Sequence, residues 1–283
     1  MKFRISTLLR VSLAILTFAP LASAGPFVYV VTLSQQFGTL DLASGKFQVI
    51  GGPTADSLAD LVWASDGSLY TLTISGSDVG SLAKINPVTG EVTDIGGTGL
   101  RFNAFSLAGV RGKLYATDLS NNLYSVDPDT GVATPITDTG IPPDPTIPFT
   151  YNSDGTFNVC DESFYGVGGK IYATFDSFAI DPNTLATPIK VEPGLYEIDP
   201  FTGATTRIAP TDLKLSASVK VEGEFYAFRG VLTGFVDGFP QAYSQLVMLD
   251  LKTGKTTLLA NLDPSLGLIL GAAPVRGGRR GDR

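Results

Sequence analysis

Hydrophobic positions in this chain fall into short runs in which apolar and polar residues alternate. Residues 123–126 and 195–198 show this period of two clearly, and the period is typical of β-strands with one buried face. Similar runs recur after residue 25, separated by clusters of Gly, Pro, Asp and Asn. Such clusters mark tight turns, so the pattern predicts an all-β protein built from many short strands.

One turn recurs between these strands. It begins with Asp or Asn, ends four residues later with Gly, and occupies residues 41–45, 86–90, 127–131, 199–203 and 250–254. An Asp or Asn side chain can accept a hydrogen bond from the backbone two residues ahead, and Gly adopts the left-handed conformation that closes the turn. The recurrence predicts one such hairpin in each unit of a repeat protein.

A tyrosine on the strand before each of these hairpins is a second marker of the repeat. These residues are Tyr29, Tyr70, Tyr115, Tyr172 and Tyr226. One unit therefore reads as four strands, a to d, with the tyrosine on strand b and the recurring turn between c and d. The first two tyrosines are 41 residues apart, which is the size of a four-stranded propeller blade.

Five units predict a five-bladed β-propeller of four-stranded antiparallel blades. The first unit has no strand a, and an apolar segment at 266–273 follows the last strand d. We expect this C-terminal segment to join the N-terminal blade and close the ring. Residues 181–185 resemble a sixth copy of the turn without its Gly. Six blades are therefore the alternative, although the short distance from Asp181 to Asp199 favours an extra hairpin.

The two ends of the chain differ from the repeats. Residues 1–24 combine early positive charges, an apolar run and small residues at 22–24, which predicts a cleaved secretory signal peptide. We therefore expect a secreted or periplasmic protein in which residues 25–275 form a single propeller domain and residues 276–283 a flexible basic tail. The apolar run is too short to span a bilayer, so no membrane span is expected.

Composition restricts the chemistry. The chain contains no His, which excludes Ser-His-Asp and Cys-His catalysis and every metal site built on imidazole. Cys160 is the only cysteine, so no intramolecular disulfide forms. The net charge is −7, and three of the 20 basic residues lie in the predicted signal segment. Because an acidic surface repels phosphate backbones, we expect no nucleic-acid partner; we also expect a monomer.

Residues 122–131 read Asn-Leu-Tyr-Ser-Val-Asp-Pro-Asp-Thr-Gly. This segment resembles the repeated phrase of pyrroloquinoline-quinone propellers. The whole chain resembles bacterial exported β-propellers related to the YVTN, NHL and quinoprotein-like repeat families, which implies a propeller architecture. The quinone-binding propellers carry a docking Trp after the Gly of each blade. Here Trp63 is the only Trp and falls on a predicted strand a, so no organic cofactor is expected.

Three stretches, 138–158, 176–194 and 229–244, exceed the minimal repeat. They fall in d–a and b–c connections, which share one face of a propeller, so we expect them to be long loops that border a binding site there. The candidate ligand-binding residues are Arg101, Asn103, Asp118, Tyr151, Asp161, Glu162, Asp176 and Arg229. Asp161, Glu162 and Asp176 are also candidate ligands for a metal ion, Ca²⁺ being the ion that such carboxylates favour. No other cofactor is expected.

Three functions remain open from the sequence. The leading hypothesis is a non-catalytic exported propeller that binds a small molecule, glycan or protein partner, because no specific catalytic signature is present. The second is a divalent-metal-assisted hydrolase, lactonase-like or glycosidase-like, that uses carboxylates at the central channel. The third is a structural module of the cell envelope.

Overall fold

The computed structural model describes residues 25–74, 79–101, 106–118, 120–141, 150–212 and 214–276. In this part of the chain, twenty strands form five antiparallel sheets of four strands each. These sheets are the blades of a β-propeller. The predicted fold class is therefore confirmed, and the alternative of six blades is wrong.

The strands are named in chain order. Blade 1 contains β1 (Phe27–Thr32), β2 (Phe37–Asp41), β3 (Phe47–Val49) and, from the far end of the chain, β20 (Ile269–Pro274). Blade 2 contains β4 (Ser57–Trp63), β5 (Leu69–Ile74), β6 (Val79–Ile85) and β7 (Val92–Arg101). Blade 3 contains β8 (Leu107–Val110), β9 (Lys113–Thr117), β10 (Asn122–Val126) and β11 (Ala133–Asp138). Blade 4 contains β12 (Phe157–Val167), β13 (Lys170–Ile180), β14 (Ile189–Ile198) and β15 (Thr205–Pro210). Blade 5 contains β16 (Leu215–Val221), β17 (Glu224–Val236), β18 (Phe239–Leu249) and β19 (Thr256–Asn261).

The only helical element in these described ranges is a 3₁₀ turn, Pro264–Leu266, which precedes β20. Within the same ranges, no helix is long and apolar enough to cross a membrane. The predicted signal peptide lies outside the described residues, as does all of the basic tail except Arg276.

The C-terminal strand closes the ring, as predicted. β20 pairs antiparallel with β1, so that Val30 lies opposite Ala272, and it becomes the inner strand of blade 1. The Trp63 Nε1 atom of blade 2 donates a hydrogen bond to the Pro274 carbonyl oxygen at 2.8 Å. The inner strands β20, β4, β8, β12 and β16 contact one another in a closed cycle. Closure of this kind leaves no blade without a neighbour on either side.

The recurring turn has the conformation that its sequence predicts. In every copy the backbone N–H of the final Gly donates to the carbonyl oxygen of the first residue at 2.8 Å. The first side chain also accepts from the backbone two residues ahead, as Asp127 does from Asp129. The sixth copy forms the same loop in the β13–β14 connection. There Leu185, with a φ of 57°, takes the place of the Gly.

The core lies between the blades, where apolar side chains of neighbouring sheets meet. Tyr70 and Tyr115, two of the marker tyrosines, are almost fully buried on strand b of blades 2 and 3. Between blades 3 and 4, Tyr115 belongs to a cluster that includes Phe164 and Ile171. The period-two pattern therefore places alternate strand residues in these inter-blade layers.

Two of the three predicted insertions are longer strands rather than loops, which corrects that expectation. The 176–194 stretch continues β13 and β14 outward and leaves a short connection between Ile180 and Ile189. The 229–244 stretch continues β17 and β18 to a tight turn at Asp237 and Gly238. The 229–244 stretch is rich in β-branched and aromatic residues, which favour strands. In the 138–158 stretch, β11 ends at Asp138 and β12 begins at Phe157.

Candidate functional site

The extended ends of blades 4 and 5 pack against each other. Phe157, Val159, Phe178 and Ile180 of blade 4 form a buried apolar cluster, against which Leu232 and Phe235 of β17 pack. Phe157 makes edge-to-face contacts with Phe235 and Phe239. The Tyr151 hydroxyl donates to the Gly238 carbonyl oxygen at 2.7 Å. Each projecting hairpin therefore holds the other in place.

A cleft lies beside this apolar cluster, between the two hairpins. We call it the inter-hairpin cleft; its volume is about 440 Å³, and it is lined by Leu185, Asp212, Lys214, Arg229, Gly230, Val231 and Leu232. Leu185 belongs to the β13–β14 connection of blade 4, and residues 229–232 belong to β17 of blade 5. The cleft thus combines an apolar wall with two cations and one carboxylate.

Lys214 is held in an unusual backbone conformation at the edge of this cleft. Its φ is 69°, a left-handed value that is costly for a residue with a side chain. Two hydrogen bonds fix it: its N–H donates to Asp176 Oδ2 at 2.7 Å, and its carbonyl oxygen accepts from the Gly230 N–H at 2.8 Å. Strained residues often mark functional sites.

The Lys214 side chain lies over a blade 4 surface. Its Nζ is 5.3 Å from the centre of the Phe178 ring. Burial lowers the pKa of Lys214, against the opposite effect of the charges on Asp161 and Asp176. A partly desolvated ammonium gains more from an anionic ligand than a fully hydrated one does.

Two of the predicted site residues, Asp161 and Asp176, lie behind Lys214. They are directly opposite each other on β12 and β13, so their side chains share the sheet face that meets blade 5. Burial raises the pKa of both carboxyls, and the proximity of Asp161 raises the pKa of Asp176 further. Asp176 Oδ1 is buried without a hydrogen-bond partner among the described residues. The pair therefore holds at least one proton more readily than exposed aspartates do.

Arg229, another predicted residue, lines the cleft itself. Its Nε and one terminal nitrogen donate to Gln245 Oε1 at 3.0 and 2.7 Å. Its other terminal nitrogen lies 3.2 Å from Asp212 Oδ2, which also accepts from Thr256. The guanidinium is thus positioned by neighbours from the same blade and the connection before it.

Glu162 faces the opposite side of blade 4 from Asp161, because adjacent residues of a strand point to opposite faces. Its Oε1 accepts from the Thr117 hydroxyl of blade 3 at 2.7 Å. Burial raises the pKa of Glu162 to about 8.

Asp60, a buried inner-strand residue of blade 2, accepts from the Leu107 N–H at 2.8 Å, and burial raises its pKa well above the ordinary value. In the described ranges, no three carboxylate or cysteine side chains gather as a metal-binding group.

The other predicted site residues are spread around the ring. Asp118 accepts hydrogen bonds from the Asn122 N–H and the Tyr124 hydroxyl, both in its own blade. Tyr151 is half exposed beside the β17–β18 turn. Arg101 ends β7 in blade 2, and Asn103 lies outside the described residues.

Sequence reasoning missed Lys214 and Asp212. Both lie in the short connection between β15 and β16, where neither the spacing nor the composition is unusual. Their importance comes from the left-handed backbone at Lys214 and from the longer strands of the two adjoining blades. No local signal in the sequence marks either residue.

Comparisons with known proteins do not indicate what the site binds. No protein-family model matches the chain, and no curated protein is similar to it. Among solved structures, the chain is similar to TolB from Acinetobacter baumannii, with a TM-score of 0.47 and 13% identity. The match covers 88% of this chain and 66% of the TolB chain, just under two thirds of its length. This degree of similarity carries no argument about ligand or partner.

Proposed function

We propose that this chain is an exported, non-catalytic β-propeller that binds a small anionic molecule in the inter-hairpin cleft. One observation carries the proposal: Lys214 and Arg229 meet at a cleft between two projecting hairpins, with Lys214 held in a strained conformation. The predicted signal peptide supports export. The absence of His from the sequence supports binding rather than imidazole-based catalysis.

The expected ligand has an anionic group and an apolar part. The anionic group would face Lys214 and the terminal N–H groups of Arg229 that do not point at Gln245 or Asp212, because charge-assisted hydrogen bonds are the strongest that such cations form. The apolar part would pack on Leu185, Val231 and Leu232, which form the facing wall. The volume of about 440 Å³ falls in the range of small-molecule pockets.

The test is a thermal-shift screen of the mature protein against small carboxylates, phosphate esters and neutral saccharides, followed by calorimetry on the hits. We expect hits among the anions, because a ligand that binds only the folded state raises the melting temperature. Lys214→Met and Arg229→Gln should each weaken binding of a hit by about tenfold or more, since one charge-assisted contact is lost.

Lys84→Met is a matched control. Lys84 also lies over an aromatic ring, with Nζ 5.1 Å from the centre of the Tyr70 ring, and near a carboxylate, Asp66. It belongs to blade 2, away from the cleft, so its loss should leave binding unchanged. Hits that are neutral saccharides, or anions that bind Lys214→Met as well as they bind the unmodified protein, would refute the proposal.

A carboxylate-pair hydrolase is the second candidate. It is favoured by the direct opposition of Asp161 and Asp176, whose raised pKa values suit one protonated and one ionised partner. Chromogenic glycosides and lactones test it. Hydrolysis that is lost in Asp176→Asn, in a variant whose melting temperature shows it to be folded, together with no anion hit in the screen, would establish this function in place of the first.

A further inference from the structure

We propose that this protein has a second ligand site, which takes a small aromatic carboxylate and does not depend on the function proposed above. The site is the opening of the central channel on the face opposite the inter-hairpin cleft. We call it the channel-mouth cleft; its volume is about 310 Å³, and its lining includes Leu61, Trp63, Arg111, Tyr165, Ala273 and Arg276. These residues come from the inner strands of blades 1, 2 and 4 and from the a–b turn of blade 3, so they surround the propeller axis.

Two cations at this opening form no ion pair with a carboxylate of the described residues. The side-chain ion pairs among the described residues involve Lys84, Lys170 and Arg229, and neither Arg111 nor Arg276 takes part in one. Both are exposed on a chain whose net charge is −7. Two unpaired guanidinium groups at one cleft of an acidic protein create a local site for an anion.

Each arginine lies over an aromatic ring within cation–π distance. The Arg276 guanidinium lies 4.4 Å from the centre of the Trp63 ring, and the Arg111 guanidinium 5.7 Å from that of Phe201. A stacked guanidinium keeps the N–H groups at its edge free, in the fork that matches a carboxylate. The cation–π contacts therefore hold both cations without using their hydrogen-bonding capacity.

The remaining lining favours an aromatic acid over a compact inorganic anion. Leu61 and Ala273 are apolar floor residues that are nearly fully buried. The indole of Trp63 forms the rim, fixed by the hydrogen bond from Nε1 to Pro274 and by an edge contact with Tyr29. A planar ring can lie against these surfaces while its carboxylate reaches the arginines, and a volume of about 310 Å³ accommodates one ring with its substituents.

Trp63 is the only Trp in the chain, so its fluorescence reports on this site alone. We would titrate the mature protein with benzoate and, as the neutral isostere, with benzamide, and measure Trp emission and calorimetric heat. Benzoate should give a saturable change that benzamide does not. Arg111→Gln and Arg276→Gln should each weaken benzoate binding about tenfold or more, with melting temperatures unchanged because both side chains are exposed.

Arg229→Gln separates this site from the inter-hairpin cleft and should leave the benzoate response intact. Three results would each overturn the proposal: no saturable response to benzoate, equal binding of benzamide, or benzoate affinity unchanged in both Arg111→Gln and Arg276→Gln. A benzoate response that is lost only in Arg229→Gln would assign the carboxylate to the inter-hairpin cleft and also refute the second site.

Discussion

The compact blade 3 and the elongated blade 5 use the same repeat with different strand lengths. Strands b and c have five residues each in blade 3, but 13 and 11 residues in blade 5. Both blades keep the same c–d turn, closed by Gly131 or Gly254. The turn and the inner strands therefore build the ring, while added strand length on the opposite face builds the inter-hairpin cleft.

The largest expected effect is the loss of cooperative unfolding when the ring is opened, because both the compact and the elongated blades depend on a closed ring. Removing residues 269–283 deletes β20, whose Ile269 and Ala272 are buried against neighbouring blades. Blade 1 would lose its inner strand, and the ring would open. We expect cooperative thermal unfolding, followed by circular dichroism, to be lost. Removing only residues 277–283 is the control and should leave the transition intact; a melt of the longer deletion that matched the control would contradict ring closure.

The second largest effect is the loss of stability on truncating a buried phenylalanine. Two such residues distinguish the inter-hairpin cleft from the rest of the ring. Phe157→Ala in blade 4 and Phe37→Ala in blade 1 should each destabilise the fold by about 3–5 kcal/mol, measured by urea unfolding. Phe157 belongs to the cluster that joins the hairpins, whereas Phe37 packs between blades 1 and 2. Only Phe157→Ala should also weaken binding of an anion hit. If folded Phe157→Ala and folded Phe37→Ala bound the anion equally well, the claim that the blade 4–blade 5 cluster supports the binding site and blade 1 does not would be contradicted.

The third effect is the pH dependence of stability that arises from Glu162 at the interface between blades 3 and 4. Burial raises the pKa of Glu162 from 4.5 to about 8, so the folded state keeps a proton that the unfolded state loses. The stabilisation from this residue is therefore fully present below about pH 4.5 and is lost as pH rises through about 8, a total of about 5 kcal/mol. Glu162→Gln, which stays neutral, should flatten the decline in urea midpoints between pH 5 and 8. A slope unchanged by this substitution would show that Glu162 is not the titrating group.

The smallest expected effect is a change in stability at the sixth turn, which has Leu185 where the five regular turns have Gly. Leu185 occupies a left-handed position that Gly occupies elsewhere, so Leu185→Gly should change stability by between zero and a gain of about 1 kcal/mol. It should nevertheless weaken anion binding, because Leu185 lines the cleft. Gly203→Leu is the reciprocal change and should clearly destabilise the fold, because its side chain would meet Thr137. A strong loss of stability in Leu185→Gly would contradict the claim that the left-handed backbone conformation of Leu185 is strained.

The ring was predictable because its signals are local. Each c–d turn combines an Asp or Asn with a Gly four residues later, and their chemistry determines the hairpin without help from the rest of the fold. The marker tyrosines indicate which strand of each blade is strand b, and the unmatched apolar segment near Ile269 indicates closure.

The site was only partly predictable because it depends on contacts between distant residues. Asp161, Asp176 and Arg229 stood out as charges beside unusually long stretches, but nothing local indicated that Lys214 would lie among them. Its φ is set by hydrogen bonds to Asp176 and Gly230, which belong to different blades. Two of the three long stretches continue as strands, which the sequence does not indicate because length alone does not distinguish a loop from a longer pair of strands.

Methyl NMR of the mature protein, titrated with an anion from the screen, would locate ligand binding directly. We predict that the methyl signals of Leu185, Val231 and Leu232 shift progressively with ligand concentration, while those of Leu123 in blade 3 and Val30 in blade 1 stay in place. Shifts confined to the compact blades, with the signals of the inter-hairpin cleft unmoved at saturation, would contradict the claim that the elongated hairpins carry the binding site.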